Sequence, residues 1–371
     1  MSLAPNLLAI NPGSASTKFG LYRDEEPLLV RNLQHSKEEL AAGGTDVLSQ
    51  LQMRLQRIED ELEAGGLPLD GIAAVVGRGG LLRPVKGGTY RVNEVMLEEL
   101  RRAARGDHAA NLGAFLAQAI ASCIGVPAYI VDPVSVDEWI KVARLSGCAQ
   151  LERPCLSHAL NSKATARRYA GEVKRPYDEM RLVVAHLGSG HTISAHASGR
   201  MIDATNSREE GAFSTERAGA VPAIELVRLC YSGRYTQKEM ETMLTREGGL
   251  ISYLGTGDLR EVEQHIDEGD EHAGLVFRAM VYQIAKEIGA MACVLRGKVD
   301  AILLTGGMAH SLRLTAAICE AVQWIAPVKI YAGEDELRAL AEGALRVMRH
   351  EEASREFGVD AVETILIETQ R

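Results

Sequence analysis

The chain has 371 residues, more than the roughly 250–300 at which a single core stops growing, so two domains are expected. Apolar residues make up 46% and charged residues 25%, the balance of a globular chain with ample material for burial. A formal net charge of −9 speaks against nucleic-acid and anionic-membrane partners while leaving room for a local basic pocket that binds small anions.

The opening MSLAPNLLAI has no basic run ahead of its short apolar stretch, so it does not read as a secretion signal. Nor does any apolar run reach the roughly 18–20 residues needed to span a bilayer. Six cysteines lie scattered without Cys-x-x-Cys spacing, which suits buried, reduced thiols and a cytoplasmic protein.

In chain order, Leu7–Ile10, Thr17–Tyr22 and Pro27–Leu33 read as strands joined by a glycine-rich turn and a polar turn. Residues 46–64 carry Val47, Leu48, Leu51, Leu55, Ile58 and Leu62 at helical spacing, and Gly65-Gly66 stops the helix. Gly71–Val76 is a buried strand ending in GRGG, helices follow over 93–104 and 109–124, and PAYIVD forms the next strand. The pattern then repeats. RLVVAH at 181–186 is a strand, Leu187-Gly188-Ser189-Gly190 a glycine-rich turn, and His191–His196 and Met201–Ala204 further strands. DAILLTGG at 300–307 echoes GIAAVVGRGG at 71–80. Two echoes in the same order point to a duplicated α/β unit.

The first turn, in LLAINPGSASTKFGLY, admits two readings, an ordinary hairpin turn or a phosphate cradle of amides and hydroxyls with Lys18 supplying charge. It is not a Walker loop, since Thr17 stands where glycine should precede the lysine and Phe19 where a hydroxyl should follow. His186, His191 and His196 recur at an odd spacing, which alternates sheet faces, so a three-histidine metal site is not expected and His186 alone is placed at the chemistry. Arg78 in GRGG is either a surface charge or an anion ligand. Arg217 lies in a loop over 209–222, where solvation and a substrate anion compete as explanations. Asp258 reads as a helix cap with Arg260 in the first turn, at a terminus that also suits anions. Gly306-Gly307 permit close backbone approach to a nucleotide.

Together these motifs resemble the acetokinase family of carboxylate kinases, within the actin, sugar kinase and Hsp70 superfamily, and most closely its butyrate-kinase branch. INPGSASTK, AVVGRGGLLRPVKGGTY, SHALN, HLGSGHTISAHASGRMID, GDLREV, TGGMAHS and GEDELRALAEGA carry the likeness in order, from about residue 6 to about residue 350. The resemblance implies duplicated ribonuclease H-like (actin-like ATPase) domains with mixed five-stranded sheets and a nucleotide cleft between the lobes. The expected lobes are 1–155 and 156–354, with about 355–371 packing back on the first.

It also implies reversible transfer of the ATP γ-phosphate to butyrate, or to isobutyrate, propionate or acetate, with ADP and Mg²⁺. Asn11, Ser14, Ser16 and Lys18 match one phosphate hairpin, and His186, Gly188, Ser189 and Gly190 the other. Arg78, His158, His186 and Arg217 are the implied catalytic set. Asp258, Arg260, Gly306 and Gly307 fall on the nucleotide side, and Asp132, Glu334, Asp335 and Glu336 on the magnesium side. A homodimer or higher homo-oligomer is expected from the same likeness. In three respects the chain departs from acetate kinase: Arg78 lies within the glycine turn instead of ahead of it, Ser189 replaces an asparagine, and Ala309-His310-Ser311 replaces the GEN of the adenosine loop. The rivals are a non-catalytic nucleotide switch and a sugar kinase with Asp132 as base.

Overall fold

The structure, a computed structural model, describes residues 5–42, 44, 46–66, 69 and 71–359. Its strands, in chain order, are β1 (Asn6–Pro12), β2 (Ser16–Arg23), β3 (Glu26–Gln34), β4 (Ile72–Arg78), β5 (Thr89–Arg91), β6 (Ala128–Val131), β7 (Arg181–His186), β8 (Thr192–Ala197), β9 (Arg200–Ala204), β10 (Ala301–Gly306), β11 (Val328–Ala332) and β12 (Arg355–Glu356).

They form two sheets in two compact units. The first unit comprises residues 1–137 and 335–371, the second 138–334. In the first, the order is β12-β5-β6-β4-β1-β2-β3; in the second, β11-β10-β7-β8-β9. The directions match strand for strand. β1-β2-β3 and β7-β8-β9 are antiparallel meanders, and β4 with β6, like β10 with β11, extends the sheet in parallel. The fold is therefore a duplicated α/β unit with two mixed sheets flanked by helices. The first sheet exceeds the five strands expected, because β5 runs back antiparallel along β6 and β12 then pairs with β5.

Period-two patterning assigns the faces of the second sheet. Val183, Ala185 and Ile193 face one way into a core that includes Phe277, Met280 and Ile284 of the helix Glu271–Val294. Leu182, Val184, Ala301 and Leu303 face the other way against Ala166, Tyr169 and Ala170 of the helix Ala159–Glu172. In the first unit β1 is a central strand and is buried on both faces, whereas β3 is an edge strand and largely exposed. Two-sided burial explains why Leu7–Ile10 is a continuous apolar run.

The division of the chain differs from the one expected at 155/156 and 354. Residues 138–155 belong to the second unit because polar contacts hold them there. Ile140 N donates to Ile202 O at 3.0 Å, Glu138 accepts from buried Lys163 at 2.7 Å, and Arg153 reaches Asp203 and Glu210 at 3.2 and 2.8 Å. The helix Glu336–Met348 belongs to the first unit, packing on β1, β4 and β6. The expected return of residues 355–371 lies outside the described residues beyond 359.

No helix of the described residues is long and apolar enough to cross a membrane. The six cysteines are free thiols, but only Cys155 is buried; Cys123, Cys148, Cys230 and Cys293 are exposed.

Candidate active site

In the first unit, the β1–β2 hairpin sets Asn11 directly opposite Lys18, and Gly13 N donates to Ser16 O at 2.8 Å to close the turn. Ser14 and Lys18 are exposed, Ser16 half-buried and Asn11 buried. Arg78 is not within the turn but ends β4, paired with Val131 of β6. Its Nη1 donates to Glu336, and to Asn11 Oδ1 at 3.4 Å, while Asn11 Nδ2 donates to the other oxygen of Glu336. Arg78, Asn11 and Glu336 thus form one connected triad.

In the second unit, the β7–β8 hairpin carries His186 at its entrance and Gly188-Ser189-Gly190 at its tip, of which Ser189 alone is exposed. The rings of His158 and His186 stack with centroids 4.0 Å apart. Thr192 Oγ1 lies 2.9 Å from His158 Nδ1, and Asn161 Oδ1 lies 2.8 Å from His186 Nδ1. His186 Nε2 stands 3.2 Å from Glu334 Oε1. Asn161 Oδ1 can only accept, so His186 Nδ1 donates to it, while Nε2 faces the Glu334 carboxylate.

Arg217 lies against this hairpin. A Cβ at position 190 would collide with its guanidinium, so glycine there is a condition of the contact. Ser214 binds the loop to the hairpin, its Oγ donating to Ser189 O and accepting from Arg217 N at 3.1 Å; Arg217 Nη1 donates to Ser207 O. Among the described residues no carboxylate comes within ion-pair distance of Arg217, and burial pulls its guanidinium below the ordinary value.

The remaining expected residues separate. Asp258 caps the helix Leu259–Asp267 and binds Arg260, whose side chain is almost fully exposed; that partner holds the Asp258 carboxyl down to about 2. These two residues pair with each other. Asp132 is buried in a left-handed backbone conformation (φ 36°), accepting from Gly88 N at 2.7 Å. Asp335 caps the helix Glu336–Met348, whereas Glu334 meets His186 and Glu336 meets Arg78. Gly306 (φ 93°) passes so close to Leu187 that a Cβ would strike its carbonyl, and Gly307 opens onto unoccupied space.

The three spaced histidines go to three places. His196 sits between Tyr177 and Ser194, and His191 contacts Met308 Sδ at 3.5 Å with its Nδ1 unpartnered among the described residues. Among the described residues no three His, Cys, Asp or Glu side chains gather into a metal cage. Sequence reasoning missed Asn161 and Thr192, which orient the stacked rings. Asn161 lies within SHALN and was legible there as a polar residue one helical turn past His158.

The topology and paired hairpins define a protein of the actin-like ATPase fold. The chain belongs to the acetokinase family, whose pattern is matched by residues 156–354. Acetate kinase from Porphyromonas gingivalis superposes with a TM-score of 0.76 at 18% identity, over 93% of this chain and 100% of that one. Acetate kinase from Entamoeba histolytica gives 0.73 at 15% identity, over 92% and 99%. Propionate kinase from Francisella tularensis gives 0.69 at 19% identity, over 91% and 98%. At such identities the superpositions speak to the fold.

Proposed function

We propose that the protein transfers the γ-phosphoryl group of ATP directly and reversibly to butyrate, giving butanoyl phosphate and ADP, with isobutyrate, propionate and acetate as weaker acceptors. The observation that carries this reading is Arg217, a partly buried cation without an ion-pair partner among the described residues, pressed on the glycine hairpin that begins at His186. A non-catalytic nucleotide switch has no need of such a ligand for a second anion.

The chemistry follows from charge. A carboxylic acid with a pKa of ~4–5 is already ionised at neutral pH, so no base has to remove a proton. The obstacle is repulsion between a carboxylate and a triphosphate, so catalysis consists of positioning and neutralisation. In the first unit Arg78 is assigned to carboxylate or equatorial oxygens, and Lys18 with Asn11, Ser14 and Ser16 to terminal phosphates. In the second unit Arg217 is assigned to carboxylate or equatorial oxygens, His186 and His158 to the transferring group, and Gly188, Ser189 and Gly190 to phosphate through their backbone amides. Asp258, Arg260, Gly306 and Gly307 are assigned to the nucleotide.

Mg²⁺ on a nucleotide needs only one or two protein carboxylates besides phosphate oxygens. Bound, it would offset charge on the β- and γ-phosphates. Of the acidic candidates, Asp335 and Asp132 bind backbone amides, whereas Glu334 and Glu336 bind the side chains of His186 and Arg78; we assign the latter two to the magnesium side.

The same reading places two copies together. The helix Ala223–Cys230 buries none of its residues, exposing Ile224 and Val227, and Tyr231 follows it 88% exposed. Beside it, Leu226, Leu229, Tyr253 and Leu275 line a groove of about 760 Å³. We assign these exposed apolar residues to a contact with a second copy of this chain, the homo-oligomer that the family likeness implies.

A hydroxamate assay for acyl phosphate across acids of two to five carbons tests the function. Highest kcat/KM with butyrate is expected; ATP turnover independent of every acid would overturn the proposal in favour of the switch.

A further inference from the structure

Arg54, on the helix Leu51–Ala64, is 0% exposed, and all of its hydrogen bonds go to uncharged oxygens. Nη1 donates to Ser16 O and to Thr17 Oγ1, both at 2.8 Å; Nη2 donates to Ser14 O at 3.3 Å and to Gln50 Oε1 at 2.8 Å; Nε donates to Gln50 Oε1 at 3.2 Å. An arginine has five N–H donors. Each has an acceptor here, and among the described residues none of those acceptors is a carboxylate. Burial pulls the guanidinium down to about 10, so it remains charged at neutral pH.

A buried charge without a counter-ion is costly, and a hydrophobic residue of similar volume would avoid the cost. Its location suggests what it does. Ser14, Thr17 and Ser16 are residues of the β1–β2 hairpin, and a second buried side chain behind them completes the arrangement. Thr17 Oγ1, having accepted from Arg54, is also hydrogen-bonded to His35 Nε2 at 2.8 Å; His35 N in turn donates to Ala15 O at 2.9 Å. Burial and the Arg54 charge both lower the His35 pKa. Thus the carbonyls of Ser14, Ala15 and Ser16 are all taken from one side. The amides of Ser14 and Ala15 have no acceptor among the described residues.

We propose that Arg54 is a positioning residue for the phosphate hairpin: it draws the loop carbonyls inward and stands an uncompensated positive charge behind them, so that the outward amides and Lys18 select ligands by phosphate charge. This rests on the reading of the hairpin as a nucleotide-phosphate site. Arg54 does not touch the ligand; it acts through the loop and through space.

Isothermal titration of the full chain with ATP and with adenosine measures the discrimination that Arg54 is inferred to confer. In R54M, ATP affinity is expected to fall on the order of 10-fold or more, with adenosine affinity changed less than about twofold. R54K, which restores charge with fewer hydrogen bonds, is expected to recover at least half of the lost ATP-over-adenosine preference on a logarithmic scale. A scaffold role alone would lower both ligands together, or leave R54K as poor as R54M; either result overturns the inference. Should R54M fail to fold, the R54K titration decides, with preference retained in support and preference abolished against. A wild-type chain that binds ATP no better than adenosine would overturn both this inference and the kinase reading. Wild-type preference that persists undiminished in R54M would overturn the inference alone.

Discussion

The imidazole of His158 lies flat on that of His186, 13° from parallel with centroids 4.0 Å apart, and each ring is held at Nδ1 by a separate neighbour. Two imidazoles so close share one environment. H186A is expected to lower kcat by ~10²–10³, the effect of removing a preorganised donor. N161A, which removes only the acceptor orienting His186, is expected to lower kcat about 10-fold while KM for ATP stays within about twofold. Steady-state kinetics on both variants check the pair, and an unchanged kcat in H186A would remove the histidines from the mechanism.

Gly190 and Arg217 are coupled by contact, since a methyl group at 190 occupies space now filled by the guanidinium. R217A is expected to reduce kcat by ~10²–10³, and G190A to approach the same loss by displacing the intact side chain. Residues that share one function are non-additive, so the double variant should be hardly worse than R217A. Additive losses would show that the two act separately.

His191 is buried and neutral, and burial, followed by the neighbouring His186 and Arg217 charges, pushes its pKa down to about 3. Its folded pKa lies below its unfolded value of about 6.5, so the unfolded chain binds more protons between them. Stability from this group is therefore complete above ~6.5 and is lost as pH falls toward 3, by up to ~1.4 kcal/mol per pH unit. Denaturant unfolding of the wild-type chain and H191L from pH 7 to pH 5 should show a shallower decline in H191L; parallel curves would contradict it.

The exposed apolar helix predicts association. Ile224, 67% exposed, and Tyr231 are expected to be buried between copies, so the double substitution I224E/Y231E should shift the mass seen by light scattering from dimer or larger to monomer. Ile224 and Tyr231 are not among the residues assigned to the reaction, so residual turnover is expected in the monomer. A wild-type chain already monomeric at micromolar concentration would show that this face has another use.

Much of the framework was legible because backbone demands write themselves into composition. Both hairpins show as glycine and small hydroxyls between apolar runs, and the two GG strand ends show as apolar runs stopped by glycine. Arg54 was hidden by its type, since arginine on an amphipathic helix reads as solvent-facing. Its spacing gave the opposite signal: the buried face is Arg54, Ile58 and Leu62, at four-residue steps, so the arginine stands in the apolar stripe. The unit boundary escaped because residues 138–155 are held by scattered polar contacts with no sequence period, and because a helix near the C-terminus returns to a sheet begun at the N-terminus. Strands as short as β5 and β12 carry too few residues to show alternation.

That returning helix has a consequence for biosynthesis. The second unit is continuous, from 138 to 334, and every part of its sheet has left the ribosome before the first unit can be finished. The first sheet, although its strands β1–β4 are translated early, lacks the helix Glu336–Met348 and the strand β12 until residues 336–356 have been made. Domains usually mature in the order of synthesis; here the middle of the chain completes first, and the nascent β1–β2 hairpin must wait with its apolar strand only partly covered. A chaperone that shields the first 137 residues would therefore have its longest task at the N-terminal half.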